Sequence, residues 1–137
     1  MDELDRYLDR LDRAFMRMGR QHAVALADTG LTGGQFMMLR VLDGRGPTNP
    51  SSLANTFGVT LASITAAVKR LSRDGLVLRY EDESNRRYVI IEITSEGRRV
   101  LGHAEKRRRE IMRDMFGRAT LPEICHLTEL VERLAGE

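Results

Sequence analysis

Between Thr60 and Arg73 the sequence sets hydroxyls, small residues and cations at spacings that one face of a helix brings together. With Ile64, Val68 and Leu71 as the buried side, steps of about 100° per residue put Ala62, Ala66, Lys69 and Arg73 near the opposite pole. Ser63, Thr65 and Arg70 flank that pole. Short side chains allow close approach to a partner, and hydroxyls and cations suit base edges and phosphates. Two alanines among three cations would be unusual on a face that met only water. The chemistry is that of holding a polyanion.

Bond-making chemistry has no comparable signal. There is no glycine-rich phosphate loop, no metal-ligand spacing among His22, His103 and His126, and no nucleophile with a base beside it in sequence. An enzyme is therefore not expected, nor a cofactor or metal. The net charge of +2 is too small to argue for nucleic acid by itself. From Thr60 to Glu92, six cations (Lys69, Arg70, Arg73, Arg79, Arg86, Arg87) stand against five anions (Asp74, Glu81, Asp82, Glu83, Glu92), so placement carries the inference.

The elements that must position these residues are marked at their ends. Thr60 is an N-cap, with Val59 and Ile64 in the hydrophobic-staple arrangement. Gly75 sits where a left-handed residue closes a helix, and Leu71 and Leu76 take the positions that meet in a Schellman motif. The spacing predicts a helix over Thr60 to Asp74. Upstream, Asn49 and Pro50 start a short helix through Phe57, and Gly58 makes a tight turn. Short helix, glycine turn and second helix form a helix-turn-helix, whose second helix enters the major groove. Downstream, Val77–Glu81 and Tyr88–Ile93 read as strands around a polar turn, a wing that sets Arg86 and Arg87 to reach a minor groove or its phosphates.

Amphipathic helices flank this unit. Leu4, Leu8, Leu11, Phe15, Met18, His22 and Leu26 form one stripe, with Arg6, Arg13, Arg17 and Arg20 opposite. His22 on that stripe reads as a hydrogen-bonded interface histidine rather than a ligand or pH sensor. Thr32 and Gln35 form a capping-box pair for the helix that ends at Gly44 to Pro47. After the wing, Thr94 to Gly97 opens a helix with Leu101, Ala104, Arg108, Ile111 and Met115 on one face. Lys106 to Arg109 reads mainly as a solvated face; for Arg98 and Arg99, which follow the wing in sequence, a supporting role near phosphates is the secondary reading. Thr120 and Glu123 cap a last helix lined by Ile124, Leu127, Leu130, Val131 and Leu134. The expected fold is mainly α with a small β-hairpin wing (α+β). Its parts are an N-terminal dimerisation helix (1–30), a winged helix-turn-helix unit (31–94) and C-terminal dimerisation helices (95–137).

Cys125 alone rules out an internal disulfide and fits a reducing compartment. Off the apolar stripe, with no lysine or arginine adjacent in sequence, it reads as structural or incidental. No apolar run approaches membrane-spanning length and the first residues are acidic, so a cytoplasmic protein is expected.

With these elements in place, the chain from about Leu4 to Leu134 resembles the MarR family of bacterial transcriptional regulators. The resemblance is carried by Leu53 to Thr60, by Leu71-Ser72-Arg73-Asp74-Gly75-Leu76-Val77-Leu78-Arg79, and by Asp82 with Asn85-Arg86-Arg87 ahead of Ile93-Thr94. The family's wing usually reads Asp-Pro-x-Asp-Arg-Arg; here Glu83 replaces the proline and Asn85 the second aspartate, which keeps a local turn bond but not a charge. Many members carry arginine where Ala66 stands, so an operator that differs from theirs is expected.

The resemblance implies a homodimer on a pseudo-palindromic double-stranded DNA operator, with no membrane partner. It implies recognition helices about 34 Å apart. It further implies that many members are repressors released by small, often phenolic or anionic, effectors bound near residues such as Met16, Arg20, Phe36 and Met37, whose spacing ordinary packing also explains. The expected DNA-binding residues are Thr60, Ser63, Thr65, Ala66, Lys69, Arg70, Arg73, Arg86 and Arg87. The competing class is a winged-helix protein-interaction module without specific DNA binding, against which the cations and small residues of the outer helix face argue.

Overall fold

Capping chemistry sets the helix boundaries in the computed structural model, which describes residues 1–137. The order is α1 (Glu3–Leu26), α2 (Gly33–Arg45), α3 (Pro50–Phe57), α4 (Leu61–Arg73), β1 (Val77–Glu81), β2 (Val89–Ile93), α5 (Ser95–Phe116) and α6 (Leu121–Ala135), with one 3-10 turn at Ala27–Thr29. Thr32 and Gln35 close a reciprocal capping box at α2, and Thr120 and Glu123 close another at α6. The Thr120 bonds hold the Glu123 carboxyl below the usual carboxylate range. No single helix is long and apolar enough to cross a membrane.

Residues 26–105 form one compact unit. Its core joins Phe36, Leu39 and Leu42 of α2, Leu53 of α3, Ile64, Val68 and Leu71 of α4, Ile91 and Ile93 of β2, and Leu101 and Ala104 of α5. The inner faces predicted from periodicity are thus the buried ones, and each large side chain removed from water contributes roughly 1.5–3 kcal/mol. Residues 1–25 with 106–137 form a second unit. Here the apolar stripes stay open: Leu8, Leu11 and Phe15 of α1 are 51%, 48% and 57% exposed. On α6, Leu127, Leu130 and Val131 are also exposed, and an apolar cleft of about 640 Å³ lies between Ile124, Leu127 and Val131 and the Met112 and Phe116 side chains of α5.

The hairpin is antiparallel, with Val77 opposite Ile93 and Glu81 opposite Val89. Tyr88, expected inside the second strand, lies one residue before it: the Asp82 N–H donates to its carbonyl at 2.9 Å, while its own N–H turns back to the Asn85 carbonyl, also at 2.9 Å. A further pairing carries no sequence signature: Thr48, in the loop before α3, exchanges both backbone bonds with Ile91 at 3.0 and 2.7 Å. One bridged residue has no periodicity to read.

Candidate nucleic-acid interface

The axes of α3 and α4 meet at 111°, within the range of helix-turn-helix pairs. Gly58 makes the turn at φ 64°, in the left-handed region where a side chain is strained. Asn49 caps α3 by accepting from the Ser52 N–H at 2.8 Å, and Pro50 occupies a first-turn position that needs no donor. Thr60 caps α4, its Oγ1 accepting from the Ser63 N–H at 3.1 Å.

The C-terminus of α4 is a complete Schellman motif. The Leu76 N–H donates to the Leu71 carbonyl at 2.9 Å and the Gly75 N–H to the Ser72 carbonyl at 3.0 Å, with Gly75 at φ 76°. Thr94 then ties this end to the start of α5. Its N–H donates to the Leu76 carbonyl at 3.0 Å, its hydroxyl donates to the Gly75 carbonyl at 2.7 Å, and its Oγ1 accepts from the Gly97 N–H at 2.9 Å. Gly97 is required by this closeness: a Cβ there would lie 2.1 Å from the Leu76 carbonyl oxygen.

The side chains expected to meet DNA lie on the outer surface. Thr60, Ala62, Ser63, Thr65, Ala66, Lys69, Arg70 and Arg73 are all exposed, and so are Arg86 and Arg87 at the wing. None of the five cations Lys69, Arg70, Arg73, Arg86 and Arg87 is held in an ion pair, so their charge is not neutralised within the chain. Arg98 and Arg99 differ. Arg98 pairs with Asp43 at 3.4 Å and Arg99 with Glu96 at 2.5 Å, and Arg99 lowers the Glu96 carboxyl below its ordinary range.

Local bonds shape the wing tip. Asp82 Oδ1 accepts from the Ser84 N–H and hydroxyl at 3.1 and 2.9 Å, and Asn85 Oδ1 accepts from the Arg87 N–H at 3.1 Å. Asparagine thus makes the turn bond expected of it. On the strands, the Tyr80 hydroxyl donates to Glu92 at 3.2 Å; burial first, then this bond, raises the phenol above its ordinary pKa.

Other singled-out residues fall elsewhere. Phe36 is 1% exposed and belongs to the core, whereas Met16 and Met37 are exposed. The hydrogen bond expected of His22 is not made within the chain: Nε2 is buried without a partner, and burial, then Arg108, push its pKa below the ordinary value. Cys125 is an exposed free thiol.

Residues 31–89 match the MarR family. The homoprotocatechuate degradative operon repressor of Escherichia coli is 29% identical over 102 residues, spanning 74% of this chain and 69% of the repressor. A MepR-like protein crystallised with pseudoligands is 32% identical and superposes with a TM-score of 0.72, covering 98% of this chain and 94% of its own. A cysteine-to-serine mutant of Escherichia coli MarR, complexed with operator DNA, superposes with a TM-score of 0.79 over 98% of this chain and 99% of its own; at 20% identity it shows the shared fold. Family and relatives are regulators of transcription, not enzymes. With the helix-turn-helix, its capped second helix and the arginine-bearing wing in one unit, the chain belongs to the MarR family of winged-helix, DNA-binding transcriptional regulators.

Proposed function

We propose that the protein is a homodimeric repressor that binds a pseudo-palindromic operator in double-stranded DNA and is released by a small phenolic or anionic effector. The observation that carries DNA binding is the outer face of α4, where small residues and hydroxyls lie among cations without ion pairs. In this reading α4 is the recognition helix. Ser63, Thr65, Ala66 and Lys69 face base edges, Thr60, Arg70 and Arg73 face phosphates, and Arg86 and Arg87 reach the flanking minor groove. Residues 31–94 serve as the reading unit, and 1–30 with 95–137 as the dimerisation helices. The open stripes of α1 and α6 support a second copy as their cover, because isolated apolar faces of this length are uncommon on monomers. The repressor role is supported by the Escherichia coli relative's own description, and effector response by the pseudoligands held in the MepR-like protein.

The test is fluorescence anisotropy on the DNA upstream of the protein's own gene, against scrambled DNA, across a salt series. Specific, salt-steep binding is expected, with Lys69→Ala and Arg87→Ala both weaker. Loss of one phosphate contact lowers the salt slope by about 1, whereas loss of a base contact gives a sequence-dependent deficit. Equal weak binding of all three proteins to own and scrambled DNA would count against autoregulation and call for operator selection from a random library. No binding to any selected DNA would favour the protein-interaction module.

A further inference from the structure

The three hydroxyls on the outer side of α4 differ in what they have left to offer. Thr60 Oγ1 accepts the capping bond from the Ser63 N–H, so its proton remains available to donate. Ser63 Oγ has no bond within the chain and keeps both capacities. The Thr65 hydroxyl is the reverse of Thr60. It donates to the Leu61 carbonyl one turn back, at 3.0 Å, and so presents lone pairs outward.

This polarity restricts what Thr65 can face in a complex. Phosphate oxygens only accept, so they suit Thr60 and clash electrostatically with an outward-facing lone pair. In the major groove the donors are the exocyclic amines, adenine N6 and cytosine N4; guanine O6 and N7 and thymine O4 accept. We infer that Thr65 is a specificity-determining residue that accepts a hydrogen bond from an exocyclic amino group of adenine or cytosine, one per half-site. The inference rests on the reading of α4 as the recognition helix. Lys69, one turn along and a donor only, has the complementary preference for guanine O6 and N7. The pair therefore reads opposite polarities on neighbouring base steps.

Selection from a random duplex library with the full-length protein, Thr65→Val and Thr65→Ser locates the base pair. Valine keeps the shape and removes the hydroxyl, and serine keeps the hydroxyl and its back-bond. At the base pair where the valine variant alone loses preference, adenine is then replaced by purine, or cytosine by pyrimidin-2-one, each lacking only the amino group. Wild type and Thr65→Ser are expected to bind the amine-deleted operator about ten-fold more weakly, and Thr65→Val no more than about two-fold more weakly. Unchanged base preferences in Thr65→Val would overturn the inference while leaving the regulator reading intact. Equal loss in wild type and Thr65→Val on amine deletion would do the same. If wild type enriches no sequence at all, the regulator reading itself fails, and the assignment of Thr65 with it.

Discussion

Gly97→Ala is the substitution whose effect the structure fixes most sharply, because it reverses the usual rule. In the interior of a helix, glycine to alanine ordinarily stabilises by about 0.5–1 kcal/mol. At Gly97 the added Cβ would sit 2.1 Å from the Leu76 carbonyl oxygen and 2.7 Å from Ile93 Cγ1. Ordinary contact is beyond 3.4 Å, so relief requires a shift of about 1 Å or more between backbone segments. That oxygen accepts from the Thr94 N–H, and Thr94 also holds Gly75, so the shift stretches bonds on both sides of the joint. Overpacking of this kind costs about 1–3 kcal/mol, and a buried polar group left unpaired a similar amount. Set against the helix-propensity gain, the net expectation is a loss of about 2 kcal/mol, or a Tm lower by roughly 6–12 °C at this chain length. Thermal unfolding by circular dichroism reads this directly. Gly102→Ala is the internal control: it lies in the same helix with open space around its Cβ, and should gain roughly 0.5–1 kcal/mol. A Gly97→Ala protein as stable as wild type, with Gly102→Ala raised as stated, would refute the close-approach argument.

Thr60→Ala removes the α4 cap and should cost about 1 kcal/mol in urea unfolding, with Thr60→Ser near wild type. His22 is held below its ordinary pKa of 6.5 by burial and then by Arg108. The unfolded chain therefore takes up that proton first, so the stability His22 gives is complete above about pH 6.5 and is lost as pH falls below it. Urea melts at pH 7.5 and 5.5 should show a smaller acid-induced loss for His22→Gln than for wild type; an equal loss would sink the assignment. Leu11→Glu, on the open stripe of α1, should shift the protein from dimer to monomer in sedimentation velocity. It forfeits on the order of 1 kcal/mol of burial per copy before the cost of desolvating a charge. An unperturbed dimer would place the subunit interface elsewhere.

Most helix ends were legible in the sequence because caps are local. Thr32, Asn49, Thr60, Thr94 and Thr120 each declare a start through bonds to residues three positions on, and Gly58 and Gly75 declare ends through a backbone conformation that side chains disfavour. The outer face of α4 followed from its inner face, since Ile64, Val68 and Leu71 fix the rotation of every other residue on it. What sequence could not give depended on distant segments. Gly97 read as part of a helix start, and only the Leu76 carbonyl, 21 positions earlier, shows why no side chain fits there. The Thr48 bridge has the same character. Arg98 and Arg99 looked like neighbours of the wing's arginines; the acids that engage them, Asp43 and Glu96, separate the two sets. The polarity of Thr65 was equally hidden, because a helix can leave its hydroxyl outward or turn it onto the preceding carbonyl.

The wing tip is folded by its own residues. Between Asp82 and Tyr88 the polar bonds run to partners within the same seven positions, whereas the base of the hairpin is fixed by Thr48, Leu76 and Thr94. A self-closing tip on an anchored base can be lengthened, shortened or rewritten without disturbing the core beneath it. The hairpin tip is thus open to change at little expense to folding, and in the proposed reading of the wing such a change gives duplicated copies of the gene a different reach along the DNA, and hence a different set of targets.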